Sequence, residues 1–476
     1  MNKILFVLAG CLIVSPAPAA VRLPRILASR MVLQRDSQVT IWGWANAKET
    51  VHVTGDWAGA EATVEADQRG HWRAAIKTAG AGGPHRLTIS GTNRIELTDV
   101  LFGEVWLASG QSNMEMPLIK VSGAYTGIAD AAREVAAARH PQIRLFQVGN
   151  FSSKTPLDDV QTGISMYGVP VSDCLWHPCS PATIPTFAST AYFFARALQS
   201  TLQIPVGIID ASWGGTSAEA WTPQVGLRRL GYSVDLQAAA TRPQQPDQKI
   251  PTRLYNGMIH PLRNVKIKGA IWYQGEGNVG RADRYRRLFA TMIDGWRKAF
   301  GYEFPFYFAQ IAPFDYGTQN SAFLREAQLQ VLSQPKTGMA VTMDIGNLRD
   351  IHPKNKQEVG RRLALWALAN DYGKDLVYSG PIYREQVLEP GAVRLKFAHL
   401  GGGLASRDGL PLSHFEIAGR DRVFHPATAK IDGDELIVCS EKVPRPQAVR
   451  YGFGNRVTPN LMNRAGLPAS SFRTDG

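Results

Sequence analysis

The chain of 476 residues is 44% hydrophobic and 19% charged, a globular composition of two or three domains that excludes a disordered, collagen-like or coiled-coil protein. Its net charge of +12, from 52 Lys and Arg against 40 Asp and Glu, is scattered rather than clustered; this argues against a nucleic-acid partner and leaves an acidic small molecule or an anionic cell surface as what such a charge could steer. Four cysteines exclude a disulfide scaffold, no CxxC or HExxH spacing points to a metal or other cofactor, and no apolar run of about 18 residues beyond the N-terminus suggests a spanning helix.

Residues 1–19 read as an export signal. Lys3 supplies the positive start, Ile4 to Val14 the short apolar stretch, and Ala17-Pro18-Ala19 the small residues of a cleavage site, which implies a periplasmic or secreted protein. A rival reading takes Leu8-Ala9-Gly10-Cys11 as a lipoprotein box with an anchor on Cys11. Of the remaining cysteines, Cys174 and Cys179 could close a small loop in an oxidising compartment, or stand as buried thiols.

From 20 to 102 the texture is of short strands broken by turns, which predicts an N-terminal β-sandwich. Gln38 to Trp44 and Thr50 to Thr54 alternate in polarity, and His85 to Ile89 follows a turn expected at Gly82-Gly83-Pro84. From 103 to 375 compact apolar runs alternate with helical periodicity. The runs are Val105–Ala108, Ile143–Phe146, Val206–Asp210, Gly269–Tyr273, Phe306–Ala309 and Met339–Thr342, with helices expected over Tyr285–Phe300 and from Lys354 to about Asn370. Such alternation predicts a mostly parallel sheet covered on both faces, a three-layer α/β domain with its chemistry at the carboxyl ends of the strands. From 376 to 476 the pattern returns to strands, with turns at Gly401-Gly402-Gly403 and Asp432-Gly433-Asp434, an extension packed on the core.

Four strand-end segments can carry chemistry. Ser109-Gly110-Gln111-Ser112-Asn113-Met114 follows the first strand of the α/β region, where a serine can present its hydroxyl beside backbone N–H groups or simply serve as a turn residue or helix cap. It lacks the GxSxG elbow of α/β-hydrolases. Trp213-Gly214-Gly215-Thr216 lets backbone N–H groups approach a ligand, or is a plain tight turn. In Gln274-Gly275-Glu276-Gly277-Asn278 either amide could donate to a developing oxyanion, and Glu276 could act as acid or base or be a buried carboxylate. In Asp350-Ile351-His352-Pro353 the proline suits a first helical turn, which places His352 at a helix mouth where the dipole disfavours imidazolium and a carboxylate restores it.

Taken together, these blocks resemble the sialate O-acetylesterase family of the SGNH (GDSL-like) hydrolases. The likeness extends to Met31-Val32-Leu33-Gln34-Arg35-Asp36 and Trp42-Gly43-Trp44-Ala45 near the start, and to Gly466 through Asp475 at the end. It implies the SGNH, flavodoxin-like sheet as the fold, Ser112 as nucleophile and His352 as its base. The Ser112 N–H, the Gly214/Gly215 turn and Gln274 or Asn278 would form the oxyanion hole. Gln111, Asn113, Glu276 and Arg349 are the candidates for contacting substrate. Two positions depart from the superfamily pattern. Arg349 stands three residues before the histidine, where an Asp is usual, so Asp350 is the first choice as orienter, with Asp344 or a backbone carbonyl as fallback. The third block also lacks the usual Gly-x-Asn-Asp form.

The resemblance implies an exported carbohydrate O-acetylesterase using a covalent acetyl-serine, with O-acetylated sialic acid as substrate and acetylated xylan or another acetylated glycan as the close alternative. A sialate carboxylate could meet Arg263, Arg281, Arg284 or Arg349, each of which otherwise reads as a surface residue. A glycan-binding protein without catalysis is the reading from another class. A lipase would want a long apolar lid segment, and a metal-dependent deacetylase a ligand cluster; neither pattern is seen in the sequence.

Overall fold

The computed structural model describes residues 20–121, 123–163, 172–233 and 247–476; the export signal and Cys11 lie outside them. The central element is a 17-residue strand, β1 (Arg94–Gly110). Around it run β2 (His140–Gln147), β3 (Trp176–Cys179), β4 (Val206–Ser212), β5 (Gly269–Tyr273), β6 (Phe306–Ala309) and β7 (Thr337–Ala340). Their order across the sheet is β7-β6-β5-β1-β4-β2-β3. All neighbours are parallel except the β2–β3 pair at the edge. A parallel sheet needs cover on both faces, and these strands accordingly read as unbroken apolar runs.

Two helices, α2 (Ser189–Leu202) and α5 (Lys356–Asp371), cover one face. There Phe194, Leu198, Val359 and Leu363 share a core with Trp106, Ala108, Ile271 and Tyr273. The other face is covered by α3 (Ala282–Phe300), whose Tyr285, Leu288, Phe289, Met292, Ile293 and Trp296 form the stripe expected from their spacing. Gly301, with φ of 83°, ends that helix in a left-handed conformation that glycine adopts without strain.

The first half of β1 belongs to the N-terminal strands. It pairs antiparallel with Gly82–Ser90 and parallel with Val32–Gln34. From Glu104 onward it pairs with β4, and from Trp106 with β5. The division anticipated at 102/103 therefore falls inside one continuous strand, and a single apolar core runs from Val39, Ile41 and Trp72 through Leu107 to Trp272 and Phe308. The turn expected at Gly82-Gly83-Pro84 is instead the start of the Gly82–Ser90 strand, with an irregular register between Gly82 and His85. Cys174 and Cys179 are separate buried thiols, and burial pushes the Cys179 thiol up to about 12.

The C-terminal strands hold a core of their own, including Val393, Leu395, Ile417, Leu436 and Phe472. Arg325, fully buried on α4 (Ala322–Gln330), ties them to the α/β unit. It donates to Ser471 Oγ at 3.1 Å, Ser321 Oγ at 2.9 Å, and the carbonyls of Gly452 and Gly454 at 3.1 and 2.7 Å. Burial lowers its pKa to about 10. Replacing it with Met should cost about 3 kcal/mol of stability, because the buried Gly452 carbonyl and the partly buried Gly454 carbonyl lose their donor; chemical denaturation of Arg325→Met against the parent checks this. Among the described residues no helix is long and apolar enough to cross a membrane.

Candidate active site

At the carboxyl end of β1 the chain turns directly into a single helical turn, α1 (Ser112–Glu115), with Gln111 as its N-cap. Gly110 makes the turn possible. Its φ is 142°, and a Cβ there would stand 2.2 Å from the Tyr273 carbonyl of the neighbouring strand. Ser112 is thereby placed half-buried on the first position of α1, where backbone N–H groups have no helical partner.

The glycine turn after β4 closes on the same point. A Cβ on Gly214 would lie 3.3 Å from Ser112 Cβ, 2.9 Å from the Tyr125 hydroxyl and 2.8 Å from Glu115 Oε2. Only glycine lets these groups converge. Gly215, with φ of 70°, faces open space.

His352 sits in the loop before α5, with its side chain 19% exposed. Its ring meets that of Tyr125 edge-on, centroids 5.2 Å apart. The Gly214 turn thus touches both Ser112 and the tyrosine whose ring His352 meets, and among the described residues no hydrogen bond joins the Ser112 and His352 side chains. Such contacts often tighten only when substrate binds. The helix begins later than the sequence suggests, at Lys356, because Asn355 caps it by accepting from the Glu358 N–H at 3.1 Å. His352 is thus not at a helix mouth. Burial chiefly, and then the nearby Lys356 charge, lower its pKa to about 4, with Asp350 opposing them.

Asp350 is the carboxylate beside the imidazole, its Oδ1 3.7 Å from Nδ1. The same oxygen accepts the His352 backbone N–H at 2.9 Å, and Oδ2 accepts from Thr126 Oγ1 at 3.3 Å. The fallback, Asp344, is held by both terminal nitrogens of Arg362 at 2.6 and 2.7 Å.

The amides of the third block are turned inward. Gln274 donates to Asn278 Oδ1 at 2.8 Å and the Thr216 carbonyl at 3.3 Å, and accepts from the Tyr285 hydroxyl at 2.9 Å. Asn278 donates to Glu219 Oε2 at 2.9 Å and accepts from the Ala218 N–H at 2.9 Å. Both hold the segment that follows the glycine turn rather than facing the serine. The Gly214 N–H is also engaged, donating to Glu115 Oε2 at 2.7 Å. Glu115 accepts from Tyr125 and Asn150 as well, yet burial still raises its pKa.

Of the expected substrate contacts, Gln111 is buried, and its Oε1 accepts from the N–H groups of Gly277 and Gly275 at 3.1 and 3.4 Å. Asn113 is buried too. Its Nδ2 donates to Glu276 Oε1 at 2.6 Å and the Ile351 carbonyl at 3.0 Å, and its Oδ1 accepts from Lys356. Glu276 keeps Oε2 buried with no hydrogen-bond partner among the described residues, and burial raises its pKa. Arg349 is exposed. Among the other arginines, Arg263 pairs with Asp158, Arg281 with Glu219 and Arg284 with Asp283. Sequence reasoning missed Glu115, Tyr125 and Lys356. Glu115 directly follows the first block and Lys356 stands four residues after the histidine, and those positions are the signal that was available.

A groove of about 730 Å³ opens where the third block runs into α3, lined by Gly280, Arg286, Arg287, Gln319, Phe323 and Arg473 among others. Phe323 is 41% exposed there.

This chain is similar throughout to proteins of known activity. Residues 103–369 match the family described as "Carbohydrate esterase, sialic acid-specific acetylesterase". A sialate O-acetylesterase of Mus musculus is 31% identical over 412 residues, 74% of each chain. That of Homo sapiens is 33% identical over 388 residues, covering 74% of this chain and 71% of its own. The crystal structure of a carbohydrate acetylesterase from Xanthomonas citri superposes with a TM-score of 0.86 at 40% identity, covering 96% of this chain and 100% of the other. The protein belongs to the sialic acid-specific acetylesterase family of carbohydrate esterases and is a carboxylic ester hydrolase.

Proposed function

We propose that this esterase removes O-acetyl groups from sialic acids by way of an acetyl-serine, outside the cytoplasm after loss of residues 1–19. The carrying observation is the convergence of Ser112, the Gly214 turn and the His352 loop around Tyr125 at the carboxyl edge of a parallel sheet. That arrangement supports the SGNH reading of the fold. His352, neutral because its site disfavours imidazolium, takes the Ser112 proton as Oγ attacks the acetyl carbonyl. The tetrahedral oxyanion is received by the Ser112 N–H and the Gly215 turn. Gln274, Asn278 and Glu115 keep that turn in place from behind. His352 then protonates the departing sugar oxygen, and water, activated by the same imidazole, releases acetate. Asp350 is the orienting carboxylate.

An acetylated neutral polysaccharide is the second reading. It is favoured by the 40% identity to a carbohydrate acetylesterase along nearly the whole chain and by the groove with its exposed Phe323, a platform for a sugar ring. Turnover of O-acetylated sialic acid against acetylated xylan separates the two. A serine-reactive phosphonate should add one adduct mass to the parent protein and none to Ser112→Ala. An unlabelled parent, or equal labelling of both, would remove the acetyl-serine mechanism at Ser112.

A further inference from the structure

Three segments that the chain keeps far apart meet on one buried amide. Asn113, next to the nucleophile, donates to Glu276 of the third block and to the carbonyl of Ile351, the residue before His352. Its remaining polar atom, Oδ1, accepts from the ammonium of Lys356, the first residue of α5. Lys356 is fully buried, with its nitrogen 5.3 Å from the centre of the Tyr273 ring. An ammonium can only donate, and a carboxylate or a carbonyl can only accept. Lysine on one side and the two acceptors on the other select the same orientation, with the NH₂ turned toward Glu276 and Ile351. Without the lysine the buried Oδ1 loses its donor, and the network that anchors the histidine loop is weakened.

We propose that Lys356 is a positioning residue of the hydrolytic site: through Asn113 it ties the turn carrying Ser112 to the loop carrying His352, and it sets a positive charge beside the imidazole. This rests on the serine–histidine reading given above. The charged and titratable groups facing the imidazole are Lys356, Asp350 on its own loop, and Tyr125 with Glu115 behind it. Those facing Lys356 are Glu276, Asp350 and Tyr273. Burial brings the ammonium down to about 7, against the pull of Glu276 and Asp350. It is therefore charged throughout the acid range in which His352 takes up its proton, and there it opposes imidazolium.

The test is an NMR titration of the full chain as the parent, Lys356→Gln and Lys356→Met, with the His352 resonance assigned by its loss in His352→Asn. Gln keeps a donor for Asn113 without the charge; Met keeps only the apolar stem and serves where Gln does not fold. The His352 midpoint should rise by about one pH unit in either variant. The acid limb of kcat/KM on an acetyl ester should move with it, and Met should lower the plateau further than Gln. A midpoint that stays at the parent value in a folded variant overturns the proposal, even if turnover falls. The titration needs no turnover, so a Ser112→Ala protein that remained active would sink the serine–histidine reading while leaving the lysine result legible.

Discussion

Ser112→Ala should lower kcat on an acetyl ester by about 10⁵- to 10⁶-fold, or about 7–8 kcal/mol of barrier. In the proposed mechanism the hydroxyl is the group that forms the bond, and no neighbour can replace it. Asn113 is buried in its network, Ser109 Oγ donates to the Ala211 carbonyl at 2.6 Å, and Ser212 Oγ donates to Asp210 at 2.6 Å. What remains should be the rate that substrate binding and the oxyanion donors supply by themselves, ~10³- to 10⁴-fold over water. Steady-state kinetics on the purified variant, with enzyme concentration raised until the residual rate is resolved, checks this. Activity within a few fold of the parent would exclude the acetyl-serine.

The second large effect is on the base. His352→Ala should cost as much as loss of the serine, because the two act as a unit. The pH profile of the parent is more discriminating. A base works in its neutral form, and the folded-state pKa of His352 is lowered to about 4, first by burial and then by Lys356. Activity should therefore hold as the pH falls to about 5 and drop roughly tenfold per unit only below the folded value. An imidazole at its ordinary pKa of about 6.5 would be roughly 3% neutral at pH 5, whereas this one stays mostly neutral, a difference of about 30-fold in available base. The acid limb of kcat/KM reports this group in the free enzyme. A limb near 6.5 would mean that the imidazole is better solvated, or better paired with Asp350, than the geometry describes.

Much of the architecture was legible in the residues, because it rests on periodicity. The stripe from Tyr285 to Trp296 could face only one way, and the apolar runs at 206–210, 269–273 and 306–309 suited only a sheet covered on both sides. The blocks around Ser112, Gly214, Gln274 and His352 could likewise be found, because each follows a strand or precedes a helix. What was not legible is which polar atom faces which. Gln274 and Asn278 read as donors to a substrate and instead bond to each other. The Gly214 N–H reads as open and donates to Glu115, a residue 99 positions away. The Gly214–Glu115 pairing depends on contact between distant segments and the Gln274–Asn278 one on how a local turn aims its amides, and neither propensity nor spacing records them. The start of α5 was misjudged for a local reason. Pro353 suits a first turn, but Asn355 offers the side-chain acceptor that a helix start needs, and the acceptor decided the boundary.

Because β1 serves the N-terminal strands with its first half and leads straight into Ser112 from its second, one continuous strand passes through residue 103. A fragment starting there would lose the strand's anchorage in Val32–Gln34 and Gly82–Ser90 and would bare the apolar face that those elements cover. Excising the leading unit would therefore disturb Ser112, nine residues beyond Gly103 at the end of that pairing, and the two parts should melt in a single calorimetric transition rather than one after the other.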